Sequence, residues 1–353
     1  MGGHWGVLER RSVWTRAVIT GGAGFIGTHL CRSLLDAGTQ VLCVDNFLTS
    51  SPLNLSALRA EPGFSLAEAD VAEGLDVDGD VDLIVHLASP ASPLDYQRYP
   101  LATLDAGSRG TRNALELAAR TGARFVLAST SEVYGDPAVS PQGEGYWGNV
   151  NPVGPRSVYD ESKRFAEAIT AAYRRVGRAN TGIARIFNTY GPGMRPGDGR
   201  VVPTFACQAL LGLPLTVAGD GTQTRSLCHV NDTVRGLLAV AASDLGGPVN
   251  IGNPEEATVR QIAERIIRLA GSCSGIEHIS LPEDDPLVRC PDITLAGRAL
   301  GWRPEISWRE GLSETLKWFS AQLEAGAVDA AALDASVIDP SVIDPSERRT
   351  VRA

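Results

Sequence analysis

Two short stretches hold the residues that could do chemistry. The first is Ser129-Thr130-Ser131-Glu132, hydroxyls and one acid that follow the apolar run Phe125-Val126-Leu127-Ala128. The second ends Tyr159-Asp160-Glu161-Ser162-Lys163, a phenol and an ammonium four residues apart. On a helix that spacing puts both on one face. A phenol ordinarily titrates near ~10. A neighbouring ammonium favours the phenolate and brings Tyr159 into general-base range. Thr130 can orient a substrate hydroxyl. Glu132 is more informative, because an acid beside such a pair implies chemistry beyond simple hydride transfer. Spacing alone would equally fit a half-buried Tyr and a solvated Lys. Lysine is scarce, however: of 32 basic residues only Lys163 and Lys317 are lysines. Arginine differs in shape and proton affinity and could not take the role.

A proton-handling pair of this kind needs a hydride acceptor, and the chain offers a place for one. Gly21, Gly24 and Gly27 lie in a GxxGxxG turn after the β-rich run 17–20 and before a helical pattern. Such a turn lets backbone approach a pyrophosphate, with the helix N-terminus supplying N–H donors. Phe25 and Ile26 sit inside the turn. Asp45 closes the next strand, 18 residues after Gly27, where an acid accepts from ribose hydroxyls and repels a 2′-phosphate. This favours NAD over NADP. Asn46 follows it. Asp70-Val71 comes after the third strand, where adenine would lie, although Asp-Val also reads as a turn. Leu87 and Ser89 end the fourth strand and would line the nicotinamide half.

The elements that position these residues alternate. Strands are expected at 17–20, 40–45, 64–67, 82–88, 124–128 and 181–187, with helices at 25–37, 100–121 and 158–176. Alternation of this kind predicts an α/β fold: a Rossmann-type, doubly wound parallel sheet covered on both faces. Beyond Asn188 the pattern becomes irregular, with helices at 202–211, 231–242, 258–270 and 308–323 and a short strand at 248–251. The expected division is an N-terminal extension (1–15), an NAD-binding domain (16–188, with parts of 226–254 returning to it), a smaller substrate-binding lobe (mainly 189–325) and a flexible tail (326–353). The tail contains the tandem repeat Ser336-Val337-Ile338-Asp339-Pro340 and Ser341-Val342-Ile343-Asp344-Pro345; two copies cannot form a solenoid.

Bulk properties narrow the class. The 353 residues carry a net charge of −9, which argues against nucleic acid as a partner. No run approaches the ~20 apolar residues of a membrane span, and the first residues lack the apolar core of a signal peptide. A cytoplasmic enzyme is expected. The six cysteines form no CxxC and read as buried thiols. The five histidines are dispersed, so no metal is expected.

Together these segments resemble the extended short-chain dehydrogenase/reductase family and, within it, the UDP-glucuronate decarboxylases. The resemblance spans about residues 16–325 and is carried by 19–27, Val44-Asp45-Asn46-Phe47, the run His86 to Pro93, the run Leu127 to Pro137, Tyr146-Trp147-Gly148, Tyr159-Asp160-Glu161, 184–191, 198–202, 221–225 and 252–256. The runs at His86 and Ser129 are the most specific. The resemblance implies oxidation of UDP-glucuronate at C4, loss of CO₂ from the resulting β-keto acid and return of the hydride, giving UDP-xylose with NAD regenerated. It implies Tyr159 and Lys163 as the proton-handling pair, Thr130 on the 4-OH, and Glu132 and Arg289 at the carboxylate. Ser131, Asn188, Arg200 and Arg225 would bind substrate, the last three near the phosphates. It also implies a homodimer built on helices 100–121 and 158–176. Three sister reactions remain open. A 4,6-dehydratase would typically carry Asp-Glu where this chain has Ser131-Glu132, a 4-epimerase lacks that Glu, and a related decarboxylase releases the 4-keto pentose. A sensor that binds NAD without turnover would be expected to lose Tyr159 or Lys163; both are present.

Overall fold

The structure is a computed structural model that describes residues 14–281 and 288–325. Most of the expected N-terminal extension and all of the tail lie outside the described residues. In chain order the strands and helices are β1 (Arg16–Thr20), α1 (Phe25–Asp36), β2 (Gln40–Asp45), β3 (Phe64–Glu68), β4 (Leu83–His86), α2 (Pro93–Arg98), α3 (Pro100–Asp105), α4 (Thr111–Thr121), β5 (Arg124–Thr130), α5 (Ser157–Arg175), β6 (Thr181–Ile186), β7 (Thr189–Tyr190), α6 (Val201–Leu210), β8 (Leu215–Ala218), β9 (Thr224–Ser226), β10 (Cys228–His229), α7 (Val230–Ala241), β11 (Pro248–Ile251), β12 (Glu256–Thr258), α8 (Val259–Ala270), β13 (Ile276–Ile279), α9 (Thr294–Leu300) and α10 (Trp308–Glu324).

Seven strands form one sheet in the order β11-β6-β5-β4-β1-β2-β3, and every pairing in it is parallel. Side chains alternate across the sheet with the strand period. Ala17 and Ile19 join the core under α1 and α7, while Val18 joins the core under α4 and α5. Both faces are covered, so β5 is buried along its whole length, as a parallel sheet requires. The strand order reverses between β1 and β4, and the crevice at that switch point, outside the carboxyl ends of the strands, is where open α/β sheets take ligands. The short strand β11 pairs with β6 at the sheet edge. A second core, built around Phe205, Leu215, Ile262, Leu312 and Phe319, belongs to the smaller lobe.

The helix expected over 100–121 is broken. Between α3 and α4 lies a π-helical segment, Ala106–Gly110. A Cβ on Gly107 would sit 2.6 Å from the Ser162 Cβ. Glycine therefore lets this segment press onto α5 one residue before Lys163. Mid-helix π segments often occur at functional sites. Five of the six cysteines are buried as expected; Cys273 is exposed.

Candidate active site

A cleft of about 610 Å³ opens at the carboxyl ends of the strands, and the expected cofactor residues lie together on its wall: Gly21, Gly24, Phe25, Ile26, Gly27, Asp45, Asn46, Asp70, Val71, Leu87 and Ser89. Gly21 has φ +69°, and a Cβ there would lie 2.7 Å from the Ala88 nitrogen. The turn thus packs against the chain that follows β4. At Gly24, the N-cap of α1, no side chain caps the helix. The N–H groups of its first turn are left for an anion. Asp45 Oδ2 accepts from the Ala23 N–H at 3.0 Å, and Oδ1 accepts from Phe47 N–H at 3.0 Å and Ser50 Oγ at 2.8 Å. A carboxylate has about four acceptor directions, so about one remains for a ribose hydroxyl. Asp70 does both things the sequence allowed: Oδ1 closes a turn on Ala72 N–H at 2.8 Å, Oδ2 accepts from Asn46 at 3.0 Å, and the residue still faces the cleft. This cradle fits a dinucleotide.

Tyr159, Lys163, Thr130, Ser131 and Glu132 share the same cleft wall. Strand β5 carries Thr130 to its last position, and α5 places Tyr159 and Lys163 across from it. The two are arranged differently from the simple expectation. Lys163 Nζ donates to the Ala128 carbonyl at 2.9 Å and lies 5.8 Å from the centre of the Tyr159 ring. Burial lowers its pKa to about 8, partly opposed by Glu167. The Tyr159 phenol is pushed up by burial and by Glu132, opposed by the Thr130 hydroxyl and Arg200. The Tyr159 ring also stacks on Tyr96 of α2, centroids 5.4 Å apart. Nearby His86 bridges Thr20 at 2.7 Å and Thr111 at 3.2 Å. Burial lowers its pKa to about 3, so it is a neutral core residue.

Glu132 is held from behind by two arginines. Arg156 Nη2 donates to Oε2 at 2.8 Å, and Arg289 Nη1 donates to Oε1. Burial would raise the Glu132 pKa, but Arg289 and Arg156 overcome it and hold the carboxyl at about 2. Glu132 is therefore held as the anion near neutral pH.

The expected substrate residues divide. Ser131, Asn188 and Arg200 line the cleft, with Arg200 bonded through Nε to Asp198 at 2.8 Å. Arg225 and Arg289 do not lie on the wall. Arg225 is buried in β9, donating to the Thr224 carbonyl at 2.8 Å. Arg289 is buried behind Glu132, donating to Gly135 O at 3.1 Å and to Ser131 Oγ at 3.4 Å. Arg289 thus meets the cleft through Glu132, which it holds and which lies on the wall. Sequence reasoning missed Arg156, which has no motif spacing. It also missed Asp95, Arg195, Trp318 and Gln322, cleft residues from α2, the loop after β7 and the end of α10. Arg195 joins two lips of the cleft, with Nη2 on both Asp95 oxygens at 2.8 and 2.7 Å.

Comparison with known proteins gives this geometry its context. Residues 17–252 match the model of the NAD dependent epimerase/dehydratase family. The chain is 49% identical over 309 residues to UDP-glucuronic acid decarboxylase 1 of Danio rerio, covering 88% of this chain and 73% of that one. It is 50% identical over 298 residues to UDP-glucuronic acid decarboxylase 6 of Arabidopsis thaliana, covering 84% and 86%. The solved UDP-glucuronic acid 4-epimerase from Bacillus cereus, in complex with UDP-glucuronic acid and NAD, superposes with a TM-score of 0.78 at 27% identity, over 87% of this chain and 99% of that one. The chain thus belongs to the NAD dependent epimerase/dehydratase family and, within it, to the UDP-glucuronic acid decarboxylases.

Proposed function

We propose that this chain converts UDP-glucuronate to UDP-xylose and CO₂, with NAD regenerated in each turnover. The observation that carries the reading is Glu132, an acid pinned by two arginines on the wall that also presents Thr130 and Tyr159. A simple hydride transfer has no use for that anion.

The glycine turn, the first turn of α1 and Asp45 would hold NAD. Bound there, NAD would supply a temporary acceptor for the C4 hydride. Tyr159 takes the proton from the 4-OH, with the Thr130 hydroxyl and Arg200 stabilising the phenolate. Lys163, fixed on the Ala128 carbonyl, holds the geometry of α5 against β5 and adds positive charge at the ring. A ketone at C4 makes the C6 carboxylate a β-keto acid. When the C5–C6 bond breaks, its electron pair passes to the C4 oxygen as an enolate, which the hydroxyls of Thr130 and Tyr159 stabilise by hydrogen bonding. A proton then adds at C5. The balance is one carboxylate and one proton in, one CO₂ and one C5–H bond out, without net redox change. Glu132, ionised near neutral pH, orients the C5 region. Asn188 and Arg200 face the UDP end, and a guanidinium there suits a pyrophosphate.

The proposal includes a homodimer built on α3 and α5. Leu101 is 75% exposed, Leu104 38% and Phe165 45%, an apolar face that a second copy would cover. Sedimentation at micromolar concentration should give a dimer; monomer alone would contradict this. The catalytic reading is tested by incubating the purified protein and NAD with UDP-glucuronate and following CO₂ and the sugar nucleotide. Equal amounts of CO₂ and UDP-xylose are expected. UDP-galacturonate without CO₂ would indicate a 4-epimerase. NADH accumulating with a 4-keto pentose would indicate the keto-releasing decarboxylase.

A further inference from the structure

One aromatic side chain behind the candidate base is left unused by the mechanism above. Tyr96, on α2, is 2% exposed and is not part of the cleft wall. Its ring stacks on that of Tyr159, with centroids 5.4 Å apart and planes 9° from parallel. Aromatic pairs in such arrangements gain beyond the area they bury. The Tyr96 hydroxyl is buried without a hydrogen-bond partner among the described residues. What Tyr96 gives the site is therefore the face of its ring and not a polar contact.

The platform under that ring is fixed by its neighbours. The Ser92 hydroxyl caps α2, accepting from the Asp95 N–H at 3.2 Å and donating to Asp95 Oδ2 at 2.8 Å. The Tyr96 N–H donates to the Ser92 carbonyl at 3.0 Å, and the Tyr99 N–H donates to the Asp95 carbonyl at 2.8 Å. Arg195 reaches both oxygens of the same Asp95 from the loop after β7. The residue before Tyr96 thus ties α2 to the opposite lip of the cleft, and Tyr96 itself ties it to α5.

Tyr159 needs such a support. Helix α5 sets its backbone, but the side chain still turns about two bonds, the second of them soft. Its hydroxyl must come within hydrogen-bond reach of the 4-OH. Lys163 Nζ donates to the Ala128 carbonyl and lies 5.8 Å from the centre of the Tyr159 ring. A near-parallel ring packed against the phenol resists its rotation, and a reacting group placed about 1 Å off costs about 100-fold in rate.

We propose that Tyr96 is a positioning residue for the reaction, whose ring sets the orientation of the Tyr159 phenol toward the sugar 4-OH. The inference rests on Tyr159 acting at that hydroxyl. Tyr96 lies off the cleft wall, so its effect belongs to the chemical step and not to binding.

The test compares Tyr96→Leu, which removes the ring, with Tyr96→Phe, which keeps it and discards the unpartnered hydroxyl. On the NAD-loaded protein, kcat and KM for UDP-glucuronate are measured, with the inhibition constant of UDP and the rate at which NADH absorbance appears on mixing with substrate. All rates are referred to the folded fraction from circular dichroism. In Tyr96→Leu, kcat should fall about 10- to 100-fold and the NADH rate should fall with it. KM and the UDP constant should stay within about twofold of wild type. Tyr96→Phe should restore both rates to within about twofold of wild type. A Tyr96→Leu protein with wild-type kcat per folded molecule makes Tyr96 a packing residue alone and overturns the inference. A loss confined to KM overturns it as well, and so does a Tyr96→Phe protein as slow as Tyr96→Leu. Should Tyr96→Leu fail to fold, Tyr96→Met, whose flexible side chain fills irregular gaps, is read in the same way. Failure of both to fold makes Tyr96 a core residue and overturns the inference. Absence of CO₂ release from the wild type would instead overturn the decarboxylase reading, and the NADH rates would still decide on Tyr96.

Discussion

Two half-buried glutamates flank the reaction zone, both paired with arginine, and only Glu132 faces the cleft. Glu167 on α5 takes Arg185 Nε at 2.9 Å and Nη2 at 2.7 Å, with Ser129 Oγ at 2.6 Å. Arg185 goes on to Tyr134 at 2.9 Å, and Tyr134 to Asn250 at 2.8 Å. This is a closed, neutral pair that ties α5, β5, β6 and β11 together behind Lys163. Glu132 has similar burial but two arginines and a face on the cleft. The difference teaches what turns an ion pair into a site: a face on the cleft, not burial. A closed buried pair contributes little net stability but is costly to break.

The comparison can be broken at several points. Tyr159→Phe removes the group that handles the O4 proton. Its kcat should fall by about 10²–10⁴-fold while calorimetry still shows UDP binding. Near wild-type turnover would remove Tyr159 from the role. Glu132→Gln should lower kcat by about 10²–10³-fold. Glu167→Gln should show the opposite emphasis. Breaking its buried pair should cost about 3–5 kcal/mol in urea unfolding, with a far smaller loss of kcat than Glu132→Gln.

Acid unfolding sharpens the same contrast. The folded-state pKa of Glu132 is depressed to about 2 from its ordinary 4.5. Its stabilising contribution is therefore complete above the ordinary value and is lost as pH falls toward about 2. The Glu132→Gln protein should lose less stability than wild type on acidification through that window; an unchanged acid limb would contradict the ion cluster. The smallest effect is expected at Arg195→Ala. Its bridge to Asp95 is 44% exposed on the arginine side, so stability should change by no more than about 1 kcal/mol. NAD should be released a few-fold faster on gel filtration, since two lips of the cleft are no longer joined.

Much of this was legible in the sequence, for physical reasons. The glycine turn, Asp45, Thr130 and Glu132 lie at strand ends or in the βα turn, where hydrophobic periodicity fixes position. Tyr159 and Lys163 share a helix face, and the scarcity of lysine made Lys163 stand out. The relation between them was not legible. Spacing predicts a charge partner for the phenol, but whether an ammonium meets the hydroxyl or a backbone carbonyl depends on how α5 packs on β5. Arg156, Arg195 and Asp95 come from loops or short helices with no period, and one arginine among thirty carries no local signal. Arg289 and Arg225 are assigned from the family resemblance, and their burial is set by tertiary packing that no local pattern reports. The π-helical break at Gly107 also depends on close approach to Ser162, which periodicity cannot report.

The central claim is that a hydride is borrowed from C4 and returned to the same carbon while C5 exchanges CO₂ for a solvent proton. UDP-glucuronate deuterated at C4, turned over in ordinary water and read by NMR, tests it directly. The account predicts UDP-xylose that keeps deuterium at C4 and gains one solvent-derived hydrogen at C5, with no NADH left behind. Loss of the C4 label to solvent, or a six-carbon product that retains its carboxylate, would contradict it.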